Sequence, residues 1–283
     1  MLKLMYITNR PEIARIAERY GVDWIFVDME FIGKDARQGC LDSVKNHHTI
    51  DDVALIKNSV TQAKVLVRVN PIHEALDNYF SSQEEIEETI KAGADIVMLP
   101  FFKRLDEVKM FLDLVNGRAK TCLLVETPEA ALLLDEIVEL KGIDMIHIGL
   151  NDLHLALGKK FMFELLADGT VDRLSGKIKA KGIPFGFGGI ATLHGGILPG
   201  SKVLKEHYRL GSSMVIVSRS FCNTDKVKEL DKIEEIFKAG IAEIRRQEKE
   251  ATDAALYFTD NRKDVINSVN EFVTNNYLKS HLS

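Results

Sequence analysis

"TCLLVETPEAALLLDEIVELKGIDMIHIGLNDLHLALG", residues 121–158, holds two short apolar runs that each end on polar residues and lead into helical sequence. "TCLLVE" (121–126) reads as a buried strand. Thr127 and Pro128 then offer a helix N-cap and a good first helical position, opening "PEAALLLDEIVEL" (128–140). "IDMIHIG" (143–149) reads as the next strand. A strand, a helix and a strand in such close succession predict parallel pairing.

The same alternation runs outward in both directions. Strands are predicted at 4–8, 24–30, 64–70, 95–101, 121–126, 143–149, 183–189 and 212–218. Helices are predicted at 11–21, 49–60, 82–94, 104–115 and 128–140, in segments around 152–181, and near 199–210. Eight strands separated by helices predict an α/β fold, the TIM (β/α)8 barrel, with a doubly wound open sheet as the alternative. Residues 1–223 form the expected catalytic barrel. Residues 224–283 form a C-terminal helical extension that lies on its own barrel or packs on a partner subunit of a homo-oligomer.

Composition narrows the function. With 37 basic and 42 acidic residues and a net charge of −5, the chain lacks the basic footprint of a nucleic-acid binder. Three widely spaced cysteines without a CxxC pair predict a reducing compartment. No apolar stretch is long enough for a membrane span, so the expectation is a soluble cytoplasmic protein whose partner is a small-molecule carboxylate.

In a barrel the chemistry sits at the C-terminal ends of the strands. Those ends carry Asp28, Glu30, Arg68, Glu126, Asn151, Asp152, Gly188, Gly189, Ser218 and Arg219. Glu126 and Asp152 lie one β-α unit apart, and two carboxylates side by side require a cation or a proton between them. A hard divalent ion, Mg²⁺ or Mn²⁺, takes one or two carboxylates and leaves positions for water and substrate oxygens. Arg68 offers a guanidinium fork for a substrate carboxylate or a developing enolate. Gly149 and Asn151 stand beside it as substrate-binding positions. The alternatives are structural: Glu126 complements a helix dipole, Asp152 caps a helix, and Arg68 closes an ion pair. The loop 31–52 supplies Lys34, Arg37, His47 and His48, of which His48, or else Glu30, is the candidate base. His147 reads as barrel-lining, and His154 as a neighbour of the metal ligand. "GFGGIA" and "SRS" stand where many barrels bind phosphate, although glycines there also serve tight turns.

"DWIFVDME", "VLVRVNP", "GADIVMLPFF", "LLVETPEAALLLDEI" and "GIDMIHIGLNDLHLALG" follow in an order that resembles the HpcH/HpaI aldolase and citrate lyase β-subunit family. That family belongs to the phosphoenolpyruvate/pyruvate superfamily of TIM barrels, and the resemblance runs over roughly residues 10 to 220. It implies metal ligation by Glu126 and Asp152 and enolate stabilisation by Arg68. The implied chemistry is reversible carbon–carbon cleavage of a 2-oxo acid, or a related acyl-CoA lyase step. The aldolases typically carry a histidine where this chain has Phe31, and a glutamine where it has Leu124. These departures motivate a third reading, a ligand-binding barrel without turnover.

Overall fold

The alternation of strand and helix closes on itself. The computed structural model describes residues 1–34, 48–191, 193–194, 196–218, 220–252 and 257–281. In chain order these form β1 (Lys3–Ile7), α1 (Pro11–Arg19), β2 (Trp24–Asp28), α2 (Ile50–Ser59), β3 (Lys64–Arg68), α3 (Ser82–Lys91) and β4 (Ile96–Leu99). Next come α4 (Leu105–Val115), β5 (Lys120–Val125), α5 (Pro128–Leu132), α6 (Leu134–Ile137), β6 (Met145–Ile148), α7 (Leu150–Ala156), α8 (Glu164–Ala167) and α9 (Thr170–Ala180). The last are β7 (Phe185–Ile190), α10 (Gly200–Leu210), β8 (Met214–Val217), α11 (Leu230–Thr252) and α12 (Phe258–His281). Eight parallel strands pair in sequence order, and β8 returns to β1 with Tyr6 opposite Val217, so the barrel is closed. The open-sheet alternative is excluded.

Local sequence sets the helix starts. Thr49 and Asp52 exchange bonds across the first turn of α2, as do Ser81 and Glu84 in α3, and each pair satisfies two amides that the helix leaves open. The single helix predicted over 128–140 is two short pieces. The chain breaks at Leu133 (φ −78°, ψ 0°), where the Glu136 N–H reaches back only three residues to the Leu133 carbonyl. The break turns Leu134 and Ile137 into the core and leaves Leu132 80% exposed.

Two apolar layers hold the barrel. One lies between strands and helices. The other fills the barrel and includes Met5, Phe26, Leu66, Met98, Cys122, Leu124, Met145 and Met214. His147 joins this interior, with its Cα opposite Leu124 on one side and Gly186 on the other. A Cβ on Gly186 would stand 2.4 Å from the Met214 carbonyl and 2.8 Å from His147 Nδ1, so a side chain there is excluded. His147 Nε2 lies 3.1 Å from the Gly188 carbonyl, so the neutral ring carries its proton on that nitrogen. Burial, aided by the Arg68 charge, lowers its pKa to about 4.

The C-terminal helices rest on the barrel's own helices. α11 packs on α1 and α10, and α12 packs on α8 and α10. Ile233, Phe237, Ile241 and Ile244 are buried there, and the Phe237 ring meets Tyr6 edge-on at 4.9 Å. Glu248 is buried and accepts the Leu2 N–H at 2.6 Å, while Arg245 bonds the Leu2 carbonyl at 2.9 Å. Among the described residues no helix is long and apolar enough to cross a membrane.

Two outcomes follow for stability. Phe237→Ala removes a ring from a sealed site and lowers unfolding free energy by about 3–5 kcal/mol, read from urea midpoints. His147 has a folded pKa below its unfolded value of about 6.5, so the unfolded chain binds the extra proton between the two. Stability from this group is full above that window and is lost as pH falls through it. His147→Phe therefore loses less stability between pH 7 and pH 5 than wild type. The buried His207, shifted in the same direction, retains part of the loss.

Candidate active site

Arg68 ends β3 with its side chain at the mouth of the barrel, only 15% exposed. Asp28, its Cα neighbour at the end of β2, takes two bonds from it: Nε to Oδ1 and Nη2 to Oδ2, both 2.8 Å. Nη1 lies 3.3 Å from Glu30 Oε2. Lys34 closes the group from the other side, with Nζ 3.0 Å from Asp28 Oδ2 and 3.8 Å from Glu30 Oε2. Two buried acids thus stand between two cations. Burial alone would lower the guanidinium's pKa, but Asp28 and Glu30 outweigh it and hold it well above its usual value.

The turn after β2 is fixed from behind. Asn70 Oδ1 accepts the N–H groups of Phe31 and Ile32, both at 2.9 Å, and Asn70 Nδ2 donates to Glu85 at 2.8 Å. Tyr79 OH also donates to Glu85, which is fully buried on α3 with its pKa raised by burial. Sequence reading missed this peg; the only sign of it was the polar Asn70 directly after an apolar strand.

Glu126 follows β5 and is 3% exposed. It does not cap the next helix. Thr127 does, accepting the Ala130 N–H at 3.1 Å and donating to the Phe102 carbonyl at 2.8 Å. Glu126 Oε1 instead accepts the N–H of Phe101 at 3.0 Å, and Phe101 adopts a left-handed φ of 47°, a costly conformation for a bulky residue. Asp152 lies in the first turn of α7, whose N-cap is Gly149, and accepts from Asn151 Nδ2 at 3.2 Å. The helix N-terminus favours its negative charge.

Arg68, Glu126, Gly149, Asn151 and Asp152 line one cleft of about 230 Å³ at the C-terminal ends of the strands. Two carboxylates in one cleft are a donor set of the kind a hard divalent cation takes. A Cβ on Gly149 would stand 2.9 Å from Glu126 Oε2, so the missing side chain is what leaves that oxygen room. Among the described residues no group of three or more His, Cys, Asp or Glu is arranged for a metal, so a cation held by these two carboxylates would take its other ligands from water or substrate.

Other expected residues are not in the cleft. His48 accepts the Asp28 N–H on Nδ1 at 3.0 Å and faces a separate rim cavity with Met29, Phe31 and Tyr79. Glu30 lies against Arg68 rather than in the cleft lining. His154 Nδ1 bonds the Leu150 carbonyl of its own helix. The glycine-rich stretch is strand β7 itself, bulged between Gly186 and Gly189, and Gly188 and Gly189 face the cleft. Arg37, His47 and Arg219 lie outside the described residues.

With this geometry in hand, similarity to known proteins is informative. The family model for HpcH/HpaI aldolase/citrate lyase matches residues 3–166. A search of curated sequences finds no match. Among solved structures, the HpcH/HpaI aldolase from Desulfitobacterium hafniense DCB-2 is 15% identical, with a TM-score of 0.58 over 83% of this chain and 93% of that one. An HpcH/HpaI aldolase/citrate lyase family protein from Burkholderia cenocepacia J2315 is also 15% identical, with a TM-score of 0.61 over 82% of this chain and 94% of that one. A variant of the citrate synthase SbnG has a TM-score of 0.54 at 15% identity, over 86% of this chain and 93% of its own. At such identity these structures speak to the shared fold, while the family model reads the sequence across more than half its length. The chain belongs to the HpcH/HpaI aldolase/citrate lyase family.

Proposed function

We propose that this chain is a divalent-metal-dependent carbon–carbon lyase acting on a 2-oxo acid through a pyruvate-like enolate. The observation that carries this reading is the meeting of Arg68, Glu126 and Asp152 in one cleft at the catalytic end of the barrel. Glu126 and Asp152 would hold Mg²⁺ or Mn²⁺, which when bound draws electron density toward the 2-oxo oxygen. Arg68 has five N–H donors; two are hydrogen-bonded to Asp28, and Nη1 lies at ion-pair distance from Glu30. The remaining donors would meet the negative charge that grows as the carbon–carbon bond breaks. The clamp is built before substrate arrives, so Arg68 needs no reorganisation during the reaction. Glu30 and His48 enter as groups that fix Arg68 and the end of β2.

The cleft is smaller than the roughly 300–1,000 Å³ of sites that enclose drug-sized ligands, which favours a small acid over an enclosed CoA ester. A second reading, binding without turnover, draws on Phe31. Its ring packs edge-on against Tyr79 at 4.8 Å where the aldolases typically place an imidazole.

Calorimetry with oxalate, an enolpyruvate mimic, tests the pocket. Wild type is expected to bind oxalate only with Mg²⁺ or Mn²⁺, and Glu126→Gln to weaken that binding at least about tenfold. No oxalate binding by wild type with any divalent ion would refute the enolate reading. Release of pyruvate from 4-hydroxy-2-oxo acids separates lyase from binding protein. Gly149 has a φ of −82° that suits alanine, but in Gly149→Ala the new Cβ falls 2.7 Å from Glu126 Cβ. Glu126 must then shift and Mn²⁺ binding is expected to weaken, with circular dichroism checking that the variant is folded.

A further inference from the structure

Below the polar rim the cleft changes character. Phe26, Met98, Leu124 and Ile216 line it there, and the first three are at most 4% exposed. They belong to the apolar filling of the barrel. Side chains two residues apart on a strand share a face, so Leu124 lies one step below Glu126, and Phe26 one step below Asp28. The Arg68 guanidinium carbon stands 5.7 Å from the centre of the Phe26 ring, so the charged group rests directly on this floor. Gly149 keeps the wall open as well, because a Cβ there would lie 3.2 Å from Leu124 Cδ1.

The floor offers little to a polar substituent. His147 is the polar side chain beside Leu124, and its Nε2 proton is held by the Gly188 carbonyl. Its Nδ1 is turned toward Gly186 on β7 and is buried without a hydrogen-bond partner among the described residues. A hydroxyl or carboxylate placed against Phe26, Met98, Leu124 and Ile216 would leave water without gaining a partner from those four side chains. An alkyl group placed there leaves water at a gain.

We infer that the cleft is built for a 2-oxo acid whose C3 carries a short alkyl chain, with Leu124 as a residue that sets this preference. The inference rests on the enolate-lyase reading: the rim holds the carboxylate and 2-oxo end, and the alkyl chain lies on Phe26, Met98, Leu124 and Ile216. Each methylene buried against such a wall strengthens binding about four- to tenfold. A cleft of about 230 Å³ suits a chain of a few carbons.

The test is calorimetry on the full chain with Mn²⁺, titrating oxalate, pyruvate, 2-oxobutanoate and 2-oxopentanoate. Oxalate has no C3 and reports only the rim. The expected result is that oxalate binds and 2-oxobutanoate binds about four- to tenfold more tightly than pyruvate. In Leu124→Gln the ratio of 2-oxobutanoate to pyruvate affinity should fall to about one. Oxalate and pyruvate binding with 2-oxobutanoate equal or weaker would overturn this inference and leave the lyase reading standing. Failure of all four, oxalate included, would overturn the lyase reading and this inference with it. The wild-type series decides the matter even if the variant does not fold.

Discussion

A guanidinium withdrawn from water at the mouth of a barrel needs anions around it, and most of the candidate site is arranged around that need. Asp28 meets Arg68 with two parallel bonds, and Glu30 Oε2 stands 3.3 Å from Nη1 as a second anion. Two carboxylates against one cation would leave a buried excess of negative charge, which Lys34 removes from the opposite side. Losing one partner of such a buried group costs roughly 3–5 kcal/mol, because the charge left behind has nowhere to go. The turn 28–34 is therefore held by electrostatics as much as by packing, and Asn70 and Glu85 fix its backbone from outside.

The two halves of the mouth differ in consequence. On the β2–β3 side, acids and bases are already paired with one another. On the β5–β6 side, Glu126 accepts the Phe101 N–H, Asp152 accepts from the Asn151 amide, and both line the cleft with Arg68. In the proposed reading, one half would present oriented N–H donors to a small acid, and the other would present oxygen ligands to the metal. The left-handed Phe101 fits this picture, since strain persists where the surroundings demand a particular donor direction.

Much of this was legible in the sequence. The eight strands stood out because parallel barrel strands, buried on both faces, are short runs of apolar residues. Polar residues that ended those runs, such as Arg68 and Glu126, were conspicuous against that background. Residues whose roles arise only through folding were less visible. Nothing local to His48 shows that it would accept the amide of Asp28, twenty positions earlier. The Glu85–Asn70 pairing joins a helix to a strand end fifteen residues away, and Glu85 reads in sequence as one acid among several on α3. The break at Leu133 was hidden for a related reason: apolar residues on every face obscure where a helix must turn.

The contact between Leu2 and Glu248 gives the barrel a timetable. The two residues are 246 positions apart, and β1 also waits for β8 as its second neighbour. At the ribosome's pace of roughly 5–20 residues per second, the start of the chain stands without these partners for roughly 10 to 50 s. During that interval β1 is the open edge of an unfinished, strongly apolar sheet, the kind of edge that invites pairing with other chains. Closure of the barrel is therefore among the last events of its making, and the growing chain depends in the meantime on whatever shields that edge.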